Sequence, residues 1–398
     1  MQALDDIRVI DLTRVLAGPF CTQLLADHGA DVIKIEQPGT GDGTRQWGPP
    51  WIGDQSAYFL SVNRNKRSVV LNLKSPDGMA ILRELLVTAD VLIENFLPGT
   101  LADLGLTFEG LRKEFPKLVV CSITGYGQTG PYRDRAGYDF AIQAQGGLMS
   151  VTGPVDGEPS KVGVAVADIT TGLYAANAIM TALHARGRTG QGQLVDVALL
   201  DSQIGWLINL AQNYFATGKA PGRIGNDAPS IVPYRSFATS EGFLVLAVGA
   251  DGQYRRLCEA LERPDLWNDT RFQTNPGRVQ HREELVRLLG DVFATRSTGH
   301  WCALLTPIGV PCAPINDIPT ALADPQVVAR EMVQTVHHPS LGEIKVIGPV
   351  AKMSETPASV RMAPPLLGEH TESVLRDMNI GNERLAELIS RGAIQVAG

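Results

Sequence analysis

The chain has 398 residues, 44% of them hydrophobic, with a formal net charge of −7 and a pI near 5.6. That supplies apolar material for a large core divided over two domains, and the acidic balance argues against nucleic acid or an anionic membrane as the main partner. No apolar run reaches membrane-spanning length, the start carries no basic region or signal core, and the five scattered cysteines form no CxxC, so a cytoplasmic protein with reduced thiols is expected.

Strand signals at 7–12, 31–36, 68–73, 91–96 and 118–123 alternate with helix signals at 20–29, from 75 to about 89, and at 107–115. Pro19 suits the first position of the first helix, and Ser75-Pro76 caps the second. Such alternation predicts an α/β protein whose large, Rossmann-like domain has a parallel sheet covered on both faces. Ligands then collect at the carboxyl ends of the strands, so the loops 14–19, 38–50, 95–99 and 125–138 should line a site. No GxGxxG follows the first strand, and there is no Walker loop, GxSxG or HExxH. His337-His338 precedes a proline and is expected on a loop rather than on a metal.

Further along, a helix is predicted at 173–186, a strand at 193–198 and a helix at 200–216. Residues 217–229 are turn-rich and read as a crossover segment. A hairpin over 231–250 turns at Ser240-Glu241-Gly242. Helices follow at 251–262 and 282–295, then a proline-rich stretch, a strand at 343–347 and a final amphipathic helix at 371–391. The expected organisation is a large domain of 1–216 with 330–398, a linker of 217–229, and a smaller α+β domain of 230–329.

Asp168 stands between the short β-branched run 162–167 and the helix signal. Two readings stay open on the residues alone. One is a helix N-cap, for which aspartate is a preferred residue; the other is a carboxylate nucleophile held partly out of water. Asp139 lies in the same stretch beside Tyr138. Arg64, Lys66, Arg67 and Lys74 put four cations within eleven residues, which is either a solvated hairpin or a polyanion site.

The segments Gly137-Tyr138-Asp139, Gly147-Leu148-Met149 with Thr152-Gly153, and Val166-Ala167-Asp168 with Thr171-Gly172 resemble those of class III (CaiB/BaiF-type) CoA-transferases. So do 9–19, 31–36, Gly41-Asp42 with Arg45, 65–68, 91–95 and 365–371, so the resemblance runs almost end to end. It implies that Asp168 is the nucleophile, with Tyr138 and Asp139 beside it. Leu16 stands where formyl-CoA transferase has a glutamine, which leaves the backbone amides of Leu16, Ala17 and Gly18 as oxyanion donors. The implied CoA contacts are Leu71 and Lys74, with Arg45, Arg67, Asn95 and Arg135 completing the set. The chain departs from the pattern at Gln37 and Asp103, where some relatives are basic. No metal and no cofactor beyond CoA as substrate is implied. The partners are acyl-CoA and small carboxylic acids, and the assembly is an interlocked ring-like homodimer.

The strings 11–20, Thr44-Arg45 with 47–50, 60–66, 121–131 and 230–234 point within that family to members that use succinyl-CoA and small dicarboxylates, glutarate or itaconate-like acids. A second carboxylate needs a partner in a dry site. Arg14 follows the first strand and can hold one bidentately, or it can pair with Asp11 or a CoA phosphate. A 2-methylacyl-CoA racemase of the same fold is the rival reading. It needs a base on each side of the α-carbon, and racemases carry a histidine where this chain has Tyr138, a residue type that titrates near pH 10. A non-catalytic CoA-binding protein is the alternative of another class.

Overall fold

The computed structural model describes residues 1–397. Its main sheet has seven strands in the order Ile394–Gln395, Lys66–Leu71, Asp31–Glu36, Arg8–Asp11, Val91–Glu94, Val119–Thr124, Leu194–Ala198. All neighbours are parallel except Ile394–Gln395, which pairs antiparallel with Lys66–Leu71. The parallel strands therefore run outward in both directions from the first one. The winding reverses between Arg8–Asp11 and Val91–Glu94, and in open sheets of this kind the crevice at that reversal is where ligands bind.

Both faces of the sheet are covered, which is why its strands read as unbroken apolar runs. On one face Ile10, Ile33 and Leu92 pack against Ile81, Leu82 and Leu85 of the helix Pro76–Val87 and against Val374 and Leu388 near the C-terminus. On the other, Val9, Val32, Val91 and Val119 pack against the helices Ala17–Asp27 and Val166–Thr189. Ser75 caps its helix through Gly78, as expected, and Thr107, read as the first helical residue, is the cap of Phe108–Glu114 through Gly110.

Several boundaries differ from expectation. The first helix starts at Ala17, not 20, and Pro19 sits inside its first turn. The helix predicted at 173–186 begins at Val166, so the end of the β-branched run is already helical. The helix predicted at 200–216 is broken into Leu199–Gly205 and Ile208–Thr217, with Ile208 at φ 31°. The last helix is likewise two, Thr371–Asp377 and Asn382–Ser390, parted by Asn379 at φ 62°. His337 and His338 lie in a strand, Val333–His338, paired with Gly342–Ile347. Residue periodicity does not register a break made by one left-handed residue.

By contacts the chain divides into two units: Met1–Leu148, Val162–Gln212 and Pro325–Gly398 form the first, and Met149–Lys161 with Asn213–Asp324 the second. Residues 149–161, read from the sequence as part of the large domain, thus group with the second unit, as do the residues read as a linker. The second unit has its own three-stranded antiparallel sheet, Cys312–Pro314, Gly242–Ala247, Tyr234–Thr239, over a core that includes Phe237, Leu246, Leu257, Leu289 and Phe293. Arg278 is fully buried in it, donating to the Val232 carbonyl at 2.7 Å and pairing with Asp251 at 2.9 Å. Among the described residues no helix is long and apolar enough to cross a membrane.

Candidate active site

Just past the first strand the chain turns sharply through Thr13–Leu16. Val15 is held at φ 71°, a conformation costly for a β-branched residue. A buried ionic frame holds it there. Lys34 Nζ donates to the Thr13 carbonyl at 2.7 Å and pairs with Asp42 at 3.0 Å, and Asp42 Oδ1 accepts from the Val15 amide at 3.3 Å. Below them Asp11 takes the Thr13 and Thr22 hydroxyls and Lys66. Burial alone would drive the Asp11 carboxyl up, but Lys66, Lys34 and the two hydroxyls hold it below its ordinary value. Buried charges survive only when paired in this way. The frame presents the start of the Ala17–Asp27 helix, where no side chain caps the first amides.

Leu16 and Ala17, at that start, line a cleft of about 360 Å³ together with Arg14, Asn95, Thr124, Gly137, Tyr138 and Asp168 among others. It lies across the reversal of the sheet. The Arg14 amide donates to Asn95 Oδ1 at 2.9 Å and Asn95 Nδ2 donates to the Arg14 carbonyl at 2.7 Å, tying the loops after the two strands together.

Asp168 occupies the first turn of the Val166–Thr189 helix and is not its cap. That duty falls to Asp139, whose Oδ1 accepts from the Ala167 amide at 2.8 Å. Asp168 is left without a hydrogen-bond donor among the described residues. Loss of hydration in the cleft wall, and secondly the charge on Asp139, push its carboxyl from 3.8 to about 7. A carboxylate starved of hydration and donors is a stronger nucleophile than a solvated one. Its distance from the Leu16–Ala17 turn is set by Gly172, one turn further along. A Cβ there would come within 2.7 Å of the Ala17 carbonyl oxygen, so only glycine lets the two helices approach so closely.

A second cavity of about 420 Å³ adjoins the first through Arg14 and Phe96, and is lined by Leu71, Lys74, Gln37 and Thr100 as well. Leu71 and Lys74, the implied CoA contacts, are therefore together on one wall. The other expected CoA contacts are not there. Arg45 makes a bidentate pair with Glu36, at 2.7 and 2.6 Å, and lies over the Phe59 ring. Arg67 grips Asp31 at the opposite end of the strands. Asn95 lines the reaction cleft and holds Arg14. Arg135 is exposed and stacks on Tyr132 at 3.9 Å. Gly18, expected as an oxyanion donor, packs on Thr13 and is not among the cleft residues. Of the four clustered cations, Arg64 and Lys66 are buried on Asp27 and Asp11. Arg14 itself pairs with no carboxylate among the described residues. Asp11 is already taken, and the guanidinium lies 5.2 Å from the Phe96 ring.

Tyr58 was not anticipated. Burial, then the charges of Asp168, Asp139 and Asp42, push its phenol up to about 12, which places it in the field of the Asp168 carboxyl. Nothing in its sequence context, Ala57-Tyr58-Phe59, signals this. Gln143, fully buried beside Asp139, was missed for the same reason. No group of three or more metal-ligating side chains occurs among the described residues.

Comparison with known protein families gives a match over most of the chain. The model described as CoA-transferase family III covers residues 4–371. The chain belongs to CoA-transferase family III. It is 45% identical over 396 residues to the succinyl-CoA:glutarate CoA-transferase of Mus musculus, covering 99% of this chain and 91% of that protein. To the succinate–glutarate CoA-transferase of Agrobacterium fabrum it is 46% identical over 381 residues, 94% and 95% of the two chains. A crystal structure of a CAIB/BAIF family protein from Brucella suis matches with a TM-score of 0.85 at 43% identity, over 95% of this chain and 99% of that one. This family III chain is thus an enzyme of the CoA-transferase class.

Proposed function

We propose that this family III CoA-transferase moves CoA from succinyl-CoA to a small dicarboxylic acid, glutarate or an itaconate-like acid, with Asp168 as nucleophile. The observation that carries the chemistry is the donor-free Asp168 carboxyl, pushed up to about 7, in a cleft it shares with Leu16 and Ala17. The relatives named for succinyl-CoA and glutarate support the choice of acids.

An Asp168 oxygen attacks the thioester carbonyl of the donor, and the oxyanion that forms is met by the Leu16 and Ala17 amides. Fixed donors of this kind contribute a few kcal/mol each. Collapse expels CoA thiolate and leaves a mixed anhydride. The thiolate attacks the aspartyl carbonyl and releases succinate, giving an aspartyl-CoA thioester. The acceptor carboxylate attacks that carbonyl and expels thiolate again. Thiolate then attacks the acceptor's acyl carbonyl, which forms the new acyl-CoA and regenerates Asp168. An anhydride lost to water is a failed turnover, so the apolar wall of Phe96, Leu97 and Ile123 matters as well.

CoA lies in the second cavity along Leu71 and Lys74, and Arg14, between the two cavities, holds the acceptor's distal carboxylate. Tyr138 at the cleft wall offers no imidazole as a second base, which disfavours a racemase. The same reading has two copies interlock as a homodimer, with exposed Leu173, Tyr174, Ile204 and Ile208 as apolar surface for the partner to cover.

The test is CoA transfer from succinyl-CoA to a panel of acids, run with wild type and Arg14→Leu. Wild type is expected to prefer C5 dicarboxylates. Arg14→Leu is expected to raise the KM for glutarate or itaconate by roughly tenfold or more, the size of one lost charge-assisted bidentate contact, while leaving a monocarboxylate such as butyrate unchanged. Equal weakening of both acid types would assign Arg14 to CoA or to the fold.

A further inference from the structure

The Asp168 side chain accepts no hydrogen bond among the described residues to hold it, yet a nucleophile misplaced by an ångström loses rate steeply. Its position must come from the segment that delivers it. That segment, 162–167, is secured at both ends by one pair of side chains, the fully buried Gln143 and the half-buried Asp139. Gln143 Oε1 accepts from the Val162 amide at 2.9 Å, and its Nε2 donates to Asp139 Oδ2 at 2.7 Å. The other oxygen of Asp139 accepts from the Ala167 amide at 2.8 Å. Both ends of the Gln143 amide are therefore used, which fixes its orientation, since the oxygen can only accept and the nitrogen only donate. The helix Val166–Thr189 begins at the bond from Asp139, because its own N-cap residue, Ala165, has no side chain able to accept.

We propose that Gln143 is a positioning residue for the nucleophile: it braces Asp139 against the Val162 backbone, and the brace sets where the first turn carrying Asp168 starts. The inference rests on the reading of Asp168 as the nucleophile. The brace has an electrostatic side as well. The Asp139 charge contributes to the rise of the Asp168 carboxyl to about 7, so a change in the Asp139 position also changes the pH at which Asp168 ionises.

Two variants test this. Gln143→Leu removes both bonds at similar volume. Gln143→Glu keeps both only while its new carboxyl is protonated, when it donates to Asp139 and accepts from Val162. Once ionised it repels Asp139 and releases the brace. The measurements are kcat and KM against pH with succinyl-CoA and glutarate, and amide hydrogen exchange over residues 162–168, which requires no activity.

Gln143→Leu is expected to lower kcat by roughly tenfold to a hundredfold with KM for succinyl-CoA within about twofold, to move the acid limb of the kcat profile, and to raise exchange at Val162 and Ala167. Gln143→Glu is expected to approach wild-type kcat at the acid end and to fall away as pH rises. A folded Gln143→Leu enzyme with wild-type kcat, pH profile and exchange overturns the proposal, as does a Gln143→Glu enzyme whose profile matches wild type. Wild type without transfer from succinyl-CoA to glutarate, combined with raised exchange in Gln143→Leu, leaves the brace standing and refutes the choice of acids instead.

Discussion

Asp168 carries a cost that stability measurements can read. Its carboxyl, ordinarily near 3.8, titrates at about 7 in the folded chain because the cleft wall denies it water and Asp139 lies nearby. The folded state thus binds the proton more tightly than the unfolded state does. Stability is full below about pH 4 and is lost as pH rises towards 7. By pH 8 the loss reaches roughly 4 kcal/mol at most, taking about 1.4 kcal/mol for each pH unit between the two values. Asp168→Asn does not ionise, so it is expected to unfold at a clearly higher temperature than wild type at pH 8 and at a similar one at pH 4. Equal stability at pH 8 would contradict the burial argument. From the residues alone, a cap was the better-supported reading of Asp168 and a nucleophile the rarer one, because caps are common among aspartates near a helix start. What separates them is Asp139 taking the Ala167 amide, a contact between segments that periodicity does not register.

At the level of elements, the site depends on how closely two helices approach. Gly172 and Gly187 both lie in Val166–Thr189, where glycine is normally unfavourable by about 1 kcal/mol relative to alanine. A Cβ at Gly187 meets nothing within 4 Å, whereas one at Gly172 meets the Ala17 carbonyl oxygen at 2.7 Å and Phe20 Cδ1 at 3.0 Å. Backbone cannot give way as a side chain can, and overpacking of this kind costs about 1–3 kcal/mol, more than the helix propensity returns. Gly187→Ala is therefore expected to raise the melting temperature and Gly172→Ala to lower it, with loss of transfer in the second alone. A Gly172→Ala enzyme as stable as Gly187→Ala would show that the helices are free to part. The parallel strands were legible because buried strands read as apolar runs. The breaks at Ile208 and Asn379 were not, since apolar spacing continues across a single left-handed residue.

For the whole molecule, alternation of strands and helices was enough to expect ligands at the carboxyl ends of a parallel sheet. The order of the strands was not legible, and that order decides which loops meet. Placing Arg8–Asp11 beside Val91–Glu94 brings Arg14 to Asn95 and opens the cleft. The same gap explains the cations. Arg64, Lys66 and Arg67 look like a phosphate patch in sequence, but each has an aspartate partner from a neighbouring element, and Lys34 is paired with Asp42, leaving Lys74 and Arg14 as the cavity-lining cations without a carboxylate partner among the described residues. An acidic chain can therefore bind a polyanion with few free cations, provided its other charges are already paired inside the fold.

The central claim is that Asp168 forms a covalent bond in turnover. Wild type and Asp168→Asn are mixed with succinyl-CoA in the presence of hydroxylamine, and the protein is digested and weighed. The expected result is a hydroxamate on Asp168 in the wild type alone, with transfer abolished in Asp168→Asn. Absence of the hydroxamate in an active wild-type enzyme, or substantial transfer by Asp168→Asn, would contradict it.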